Sequence, residues 1–250
     1  MSTQLTQNLS RRSLLKGGAV LGAGAMLGFD QVFGFSRVLG QTMKDDDLQT
    51  IINLAATAEL FATTHYLAAI NGKLGLADKQ LDYLKGGFLA EQDHLELLLS
   101  LGAKPVVTEF FVPETLFSQQ KFFAAITELA ETTFVSAYLA ATRIFSQSAE
   151  TSKFAVTTAQ IACVEAEHRA LIRLIGDNLG NNISYAQYTL HNVSDAVPVL
   201  QPFLDGNPAD DSLGTFIGPV TPPTADDIAK IRGEIGRLKY DSSVKPFASM

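Results

Sequence analysis

The sequence holds a single cysteine, Cys163. One thiol excludes an internal disulfide, a Cys-x-x-Cys redox pair and a four-cysteine iron site of the rubredoxin kind. Its place one turn before His168, in a strongly apolar stretch, predicts a buried and inert side chain. Positive charge is also scarce. The formal net charge is -7, and setting aside residues 1–40 (Arg11, Arg12, Lys16 and Arg37 against Asp30) leaves 15 basic and 25 acidic residues, a net of -10. So acidic a body repels phosphate backbones and anionic lipid, so neither nucleic acid nor a membrane surface is an expected partner. Charged residues make up only 18% and apolar ones 46%, a balance that favours a folded core over disorder. The glycine-rich apolar run from Gly17 to Phe29 covers thirteen residues, short of the ~20 that a membrane-spanning helix needs.

That short run follows Ser10-Arg11-Arg12-Ser13-Leu14-Leu15-Lys16. A basic start and a brief apolar stretch read as an export signal, and the adjacent arginines specify the twin-arginine route. The segment resembles the Ser-Arg-Arg-x-Phe-Leu-Lys pattern of that pathway, with Leu14 in place of the usual phenylalanine. Residues 1–40 are therefore assigned to a signal and linker, with the translocase as a partner and a periplasmic or other extracytoplasmic destination. Ala23-Gly24-Ala25 fits a small-x-small cleavage site, while Phe29 to Leu39 is compatible with mature sequence or a retained anchor. The apolar run has no cysteine after it at a lipoprotein-like position. Resemblance to this pathway implies a protein exported already folded, commonly with a cofactor inserted beforehand.

From Asp45 onward the patterning is helical. Helices are expected over about 47–74, 77–101, 114–148 (irregular near its start) and 150–179, with Gly72, Gly75, Gly102, Pro105 and Gly180 as stops. Asp45, Asp46 and Asp47 suit the positive end of the first helix dipole. Four helices without intervening strand-like alternation predict an all-α four-helix bundle over 45–180. The Val106–Pro113 stretch then carries the chain across the bundle. The remainder, 181–250, is a Pro/Gly-rich extension with one short helix expected over about 225–239. Its Phe203, Leu204, Phe216 and Ile217 call for burial against the bundle.

The bundle repeats itself. Glu59 is followed seven residues later by Tyr66 and then Leu-Ala-Ala; Glu131 is followed in the same way by Tyr138 and Leu-Ala-Ala. Glu91/His94 and Glu165/His168 are each Glu-x-x-His, and lie 32 and 34 residues after the lone glutamates Glu59 and Glu131. Residues i and i+3 share a helix face, so each Glu-x-x-His aims both side chains at one place. Four carboxylates and two imidazoles arranged this way form the ligand set of a dinuclear metal site inside a four-helix bundle. Mixed oxygen and nitrogen donors suit two iron or two manganese ions and do not choose between them. With 11 glutamates in 250 residues, two such motifs among four histidines arise by chance on the order of 1% of the time. Both lone glutamates stand in apolar surroundings, where a carboxylate needs a metal, a partner or a proton. Tyr66 and Tyr138 lie on the same faces two turns on, placed to hydrogen-bond a ligand or to pack with a satisfied hydroxyl. Glu128 competes with Glu131, and the Tyr138 register favours Glu131. Asp93 and Glu167 face aside and are candidates for orienting neighbours. His65 and His191 receive no role.

The order Glu, Glu-x-x-His, Glu, Glu-x-x-His resembles the ferritin-like superfamily, especially its rubrerythrin-like and manganese-catalase-like branches. More narrowly it is similar to the exported ferritin-like domain proteins that include desiccation-related proteins. The resemblance covers about residues 45–180 and implies Glu59, Glu91, His94, Glu131, Glu165 and His168 as metal ligands. It departs from storage ferritins in its second histidine, and from rubrerythrins in lacking the cysteine iron module. The expected function is an exported dinuclear iron or manganese oxidoreductase acting on peroxide or oxygen (a peroxidase, catalase-like enzyme or ferroxidase). The alternative is a non-enzymatic stress or desiccation-associated envelope protein with a structural or vestigial metal site. Self-association as a homo-oligomer stays open.

Overall fold

The structure is a computed structural model that describes residues 44–209, 211–236, 240, 241 and 243–247. The export signal and the end of the last expected helix lie outside the described residues. Four long helices form the bundle: α1 (Leu48–Asn71), α2 (Asp78–Ser100), α3 (Gln120–Phe145) and α4 (Ser152–Ile175). The chain also carries α5 (Val197–Asp205) and α6 (Ala225–Ile235), with strands β1 (Phe110–Pro113) and β2 (Phe216–Val220).

Local chemistry sets the helix ends. Asp47 caps α1 by accepting a 2.7 Å hydrogen bond from the Thr50 amide, which satisfies one of the free N–H groups of the first turn. At the other end Gly72 is required, because a Cβ there would stand 2.8 Å from the Phe117 carbonyl oxygen. Gly102, at φ +88°, turns the chain away after α2. Thr224 and Asp227 close α6 with reciprocal side-chain to backbone bonds of 3.2 and 2.9 Å.

The packing is that of two helix hairpins, α1 with α2 and α3 with α4. Phe88, Phe123, Leu84 and Ile172 are fully buried between them. The hairpin connections are short, whereas residues 101–119 join α2 to α3 through β1 and a 3-10 turn at Leu116–Ser118. The third helix therefore starts six residues later than the periodicity predicts, at Gln120 rather than 114. The reason is non-local. Phe110, Val112 and Pro113 pair antiparallel with Val220, Ile217 and Phe216, and the backbone just after is engaged as well: the Glu114 amide donates to the Thr215 carbonyl and the Phe117 carbonyl accepts from the Lys73 amide, both at 2.9 Å.

The C-terminal extension lies over the bundle. Phe203 is buried and stacks edge-on against Phe216, while α6 docks on α2 through Lys85–Glu234 (2.6 Å) and Arg232–Asp93 (2.8 Å). Ile217 corrects the expectation of burial: it is 47% exposed, because β2 is an edge strand whose alternate side chains face outward. Cys163 is a second correction. It is exposed, since it lies two residues before Glu165 on α4, a spacing that puts it on the opposite face.

His65 is a buried titratable side chain of the core. It stacks on Phe123 (centroids 5.3 Å apart, planes at 16°) and its Nε2 lies 2.8 Å from Thr127 Oγ1. The Thr127 hydroxyl gives its one proton to the Phe123 carbonyl, so His65 must donate through Nε2 as a neutral imidazole. Burial lowers its pKa from 6.5 to about 3. The unfolded imidazole takes up a proton below about pH 6.5 while the folded one resists until about 3, so this contribution to stability is complete at neutral pH. It is lost on acidification at up to about 1.4 kcal/mol per pH unit. We expect His65→Phe to flatten the acid side of the melting-temperature profile relative to the parent. Parallel profiles between pH 7 and pH 4 would contradict the assignment.

Candidate metal centre

Each bundle helix contributes to one interior cluster. Glu59 comes from α1, Glu91 and His94 from α2, Glu131 from α3, and Glu165 and His168 from α4. The apolar stripe that faces each helix inward takes these side chains with it. All four carboxylates are at most 1% exposed, His168 is buried, and the His94 side chain keeps the widest window to solvent, 12%.

The ligand atoms fall into two overlapping groups. Glu59, Glu91, His94 and Glu165 form one, and Glu91, Glu131, Glu165 and His168 the other, with the atoms of each group within 4.8 Å of one another. Glu91 and Glu165 belong to both. His94 Nδ1 lies 3.2 Å from Glu165, 3.4 Å from Glu91 and 3.7 Å from Glu59. His168 Nδ1 lies 2.9 Å from Glu91, 3.3 Å from Glu165 and 4.0 Å from Glu131. Each half of the repeat thus supplies one terminal glutamate, one imidazole and one shared carboxylate.

The tyrosines cross between the halves. Tyr66 on α1 donates its hydroxyl to Glu131 Oε1 on α3 at 2.5 Å, and Tyr138 on α3 donates to Glu59 Oε1 on α1. Both phenols are buried, and burial followed by the adjacent carboxylate charge raises their pKa well above 10. They therefore stay protonated and act as donors.

Burial, then the charges of Glu91 and Glu165, push the Glu59 and Glu131 carboxyls well above their usual range. For Glu91 burial works in the same direction, yet the His168 charge and the close approach of both imidazoles hold it below normal. The imidazoles of His94 and His168 rise against the cost of burial because carboxylates surround them. Without a cation the cluster is held together by protons. A divalent ion competes for the same lone pairs and releases those protons.

Glu59 Oε2, Glu91 Oε1 and Oε2, His94 Nδ1, Glu131 Oε2 and Glu165 Oε1 are buried without a hydrogen-bond partner among the described residues. Orphaned polar atoms of this number are costly in a core, and all six point to one cluster. Hard carboxylate oxygens with two imidazole nitrogens match divalent first-row metals in chemistry and in charge. The residues fit a metal site.

Of the neighbours considered from sequence, Glu128 turns away from the cluster and pairs with Arg173 and, at 3.6 Å, Arg169. Asp93 is held by Arg232 and the Tyr240 hydroxyl at the docked extension, and Glu167 is exposed. His191 sits near Asp45 and Arg143, away from the centre. The buried arginines were not anticipated. Arg169 and Arg173, four residues apart on α4 and therefore on one face, were the available signal.

A ferritin-like domain family model matches residues 47–176, more than half of the 250-residue chain. The chain belongs to the ferritin-like family. A twin-arginine translocation signal model matches residues 8–28, so this ferritin-like protein is exported by the twin-arginine translocase to the periplasm or another extracytoplasmic space. No helix among the described residues is long and apolar enough to cross a membrane. Searches of curated proteins and of solved structures give no significant match.

Removing one crossing hydroxyl leaves a buried carboxylate oxygen without its donor. Tyr66→Phe is expected to lower the stability of the metal-free protein by about 1–3 kcal/mol. Thermal unfolding checks this, and an unchanged midpoint would mean that the Tyr66–Glu131 bond carries no weight.

Proposed function

We propose that this ferritin-like protein is an exported dinuclear-metal oxidoreductase acting on peroxide or oxygen. The ligands would be Glu59, Glu91, His94, Glu131, Glu165 and His168. The observation that carries the reading is the pair of overlapping ligand groups sharing Glu91 and Glu165, whose inward lone pairs lack partners. Glu59 with His94 would hold one ion and Glu131 with His168 the other, with Glu91 and Glu165 within reach of both. Two iron or manganese ions bound here would supply the redox couple for cleaving or forming an O–O bond.

The chain's own residues set the conditions for that chemistry. Four carboxylates against two neutral imidazoles match the charge of two divalent ions, so the loaded core is neutral. Tyr66 and Tyr138 fix the orientation of the terminal glutamates and keep a proton on each phenol beside them. The apolar helices exclude bulk water, and the partial exposure of His94 places the easiest approach of a polar molecule on the α2 side. With one exposed cysteine the chain has no thiolate iron module of its own to deliver electrons. Turnover therefore takes either an external donor or disproportionation of hydrogen peroxide, which needs none.

Protein exported from its own host should contain about two equivalents of iron or manganese per chain by plasma mass spectrometry. Glu91→Ala and His168→Ala should lose that metal and any peroxide turnover. Metal-depleted native protein would instead support the stress-associated structural alternative, and turnover that survives both substitutions would refute these residues as the site.

A further inference from the structure

A cavity of about 50 Å3 lies between α1 and α3, beneath the 3-10 turn at Val193–Ala196 and α5. It exists because the facing positions are small: Ala55 and Ala58 on α1, Ala137 and Ala141 on α3. Val197 and Leu200 of the C-terminal extension cover it. One wall is Tyr138, the residue whose hydroxyl is bonded to Glu59 of the metal cluster. The cavity therefore reaches the centre through a single side chain.

Its lining offers nothing to a polar guest. Thr57 and Tyr138 are the only lining residues with polar side-chain atoms. Thr57 Oγ1 donates to the Asn53 carbonyl and accepts from the Val106 amide, both at 2.8 Å, and the Tyr138 proton is given to Glu59. Water needs two to four polar partners to be held in place, so this lining has no hold on it although the space exceeds the ~10–15 Å3 one water requires. The related tyrosine of the other half, Tyr66, borders a space of only about 10 Å3. Of the two related tyrosines, Tyr138 thus borders the larger space.

We propose that this cavity is a dioxygen-binding site that holds the gas against Tyr138, on the Glu59 side of the cluster. The inference rests on the redox reading above and chooses between its two oxidants. Hydrogen peroxide has two hydroxyl groups that would lose their hydrogen bonds to water and find no replacement here, at a cost that excludes it. Dioxygen has no donors and no dipole, and loses nothing on entering an apolar void. A sugar would lose its hydrogen bonds to water here in the same way.

Xenon, a gas atom that enters dry apolar cavities, tests the site without metal or turnover. Metal-free protein should bind xenon at one site, detected by 129Xe NMR or in a pressurised crystal between α1 and α3. Binding should disappear in Ala137→Leu and, independently from the opposite wall, in Ala58→Leu. In protein loaded with ferrous iron, both variants should slow oxidation by dioxygen several-fold and leave oxidation by hydrogen peroxide and iron stoichiometry at parent values. Absence of xenon from the parent cavity overturns the site. Xenon binding with an undiminished dioxygen rate in both variants overturns its role. Xenon binding in a parent that oxidises iron with neither reagent overturns the redox reading, and dioxygen as the occupant with it.

Discussion

Four carboxylates buried within reach of one another, in a bundle otherwise packed with phenylalanine, leucine and alanine, are the constraint around which the other parts are arranged. An ion moved from water into a protein interior costs on the order of several kcal/mol even after relaxation. Glu59, Glu91, Glu131 and Glu165 could not all be charged there alone. His94 and His168 answer part of this, reaching between the carboxylates through Nδ1. The tyrosine hydroxyls answer another part, one per terminal glutamate. What remains are lone pairs with no protein donor, and these are open to protons or cations. The core is stable only with a third component, which links its folding to what it binds.

The crossing of the tyrosines follows from the same constraint. A tyrosine on the same helix as its glutamate, seven residues on, is two turns away and cannot reach back to it. Turned inward, it meets the glutamate of the facing hairpin instead. Tyr66 with Glu131 and Tyr138 with Glu59 therefore tie α1 to α3 twice, in opposite senses. Neither hairpin satisfies its own terminal carboxylate. The two similar halves thus form a fold in which each depends on the other.

The cluster was legible in the sequence because helices convert spacing directly into direction. Glu91 and His94, three apart, had to share a face, and the duplicated Tyr-Leu-Ala-Ala fixed which glutamate of α3 belonged with them. Where the partner is distant, local pattern does not suffice. Phe110–Pro113 read as connection because nothing near it pairs with it; its strand partner, Phe216–Val220, lies in the extension. Cys163 read as buried from the apolar composition around it, whereas position on the helix decides exposure. Its neighbours Ile161, Ala162 and Glu165 face inward and it does not. The extension was expected to cover the bundle, but not where, since its anchors are hydrogen bonds between residues nearly 150 apart in sequence.

Those anchors show what the extension does for the rest. Asn192 binds the Lys44 carbonyl through its side-chain amide, and Asp46 accepts from the amide and hydroxyl of Ser194. Arg143 of α3 adds Asp45 and the His191 carbonyl to the same knot. The first described residues of the chain are thus held by a segment made nearly 150 residues later, immediately before the turn and helix that cover the cavity beside Tyr138. The residues that hold the capped start of α1 and the lid over the small alanines of α1 and α3 are consecutive stretches of one strap. Loosening that strap would uncover the apolar side of the centre, where Val197 and Leu200 lie over the alanines beside Tyr138. A long irregular extension on a helical bundle is costly in chain entropy. Here the extension covers a face of the bundle where small side chains stand between solvent and a cluster of buried carboxylates.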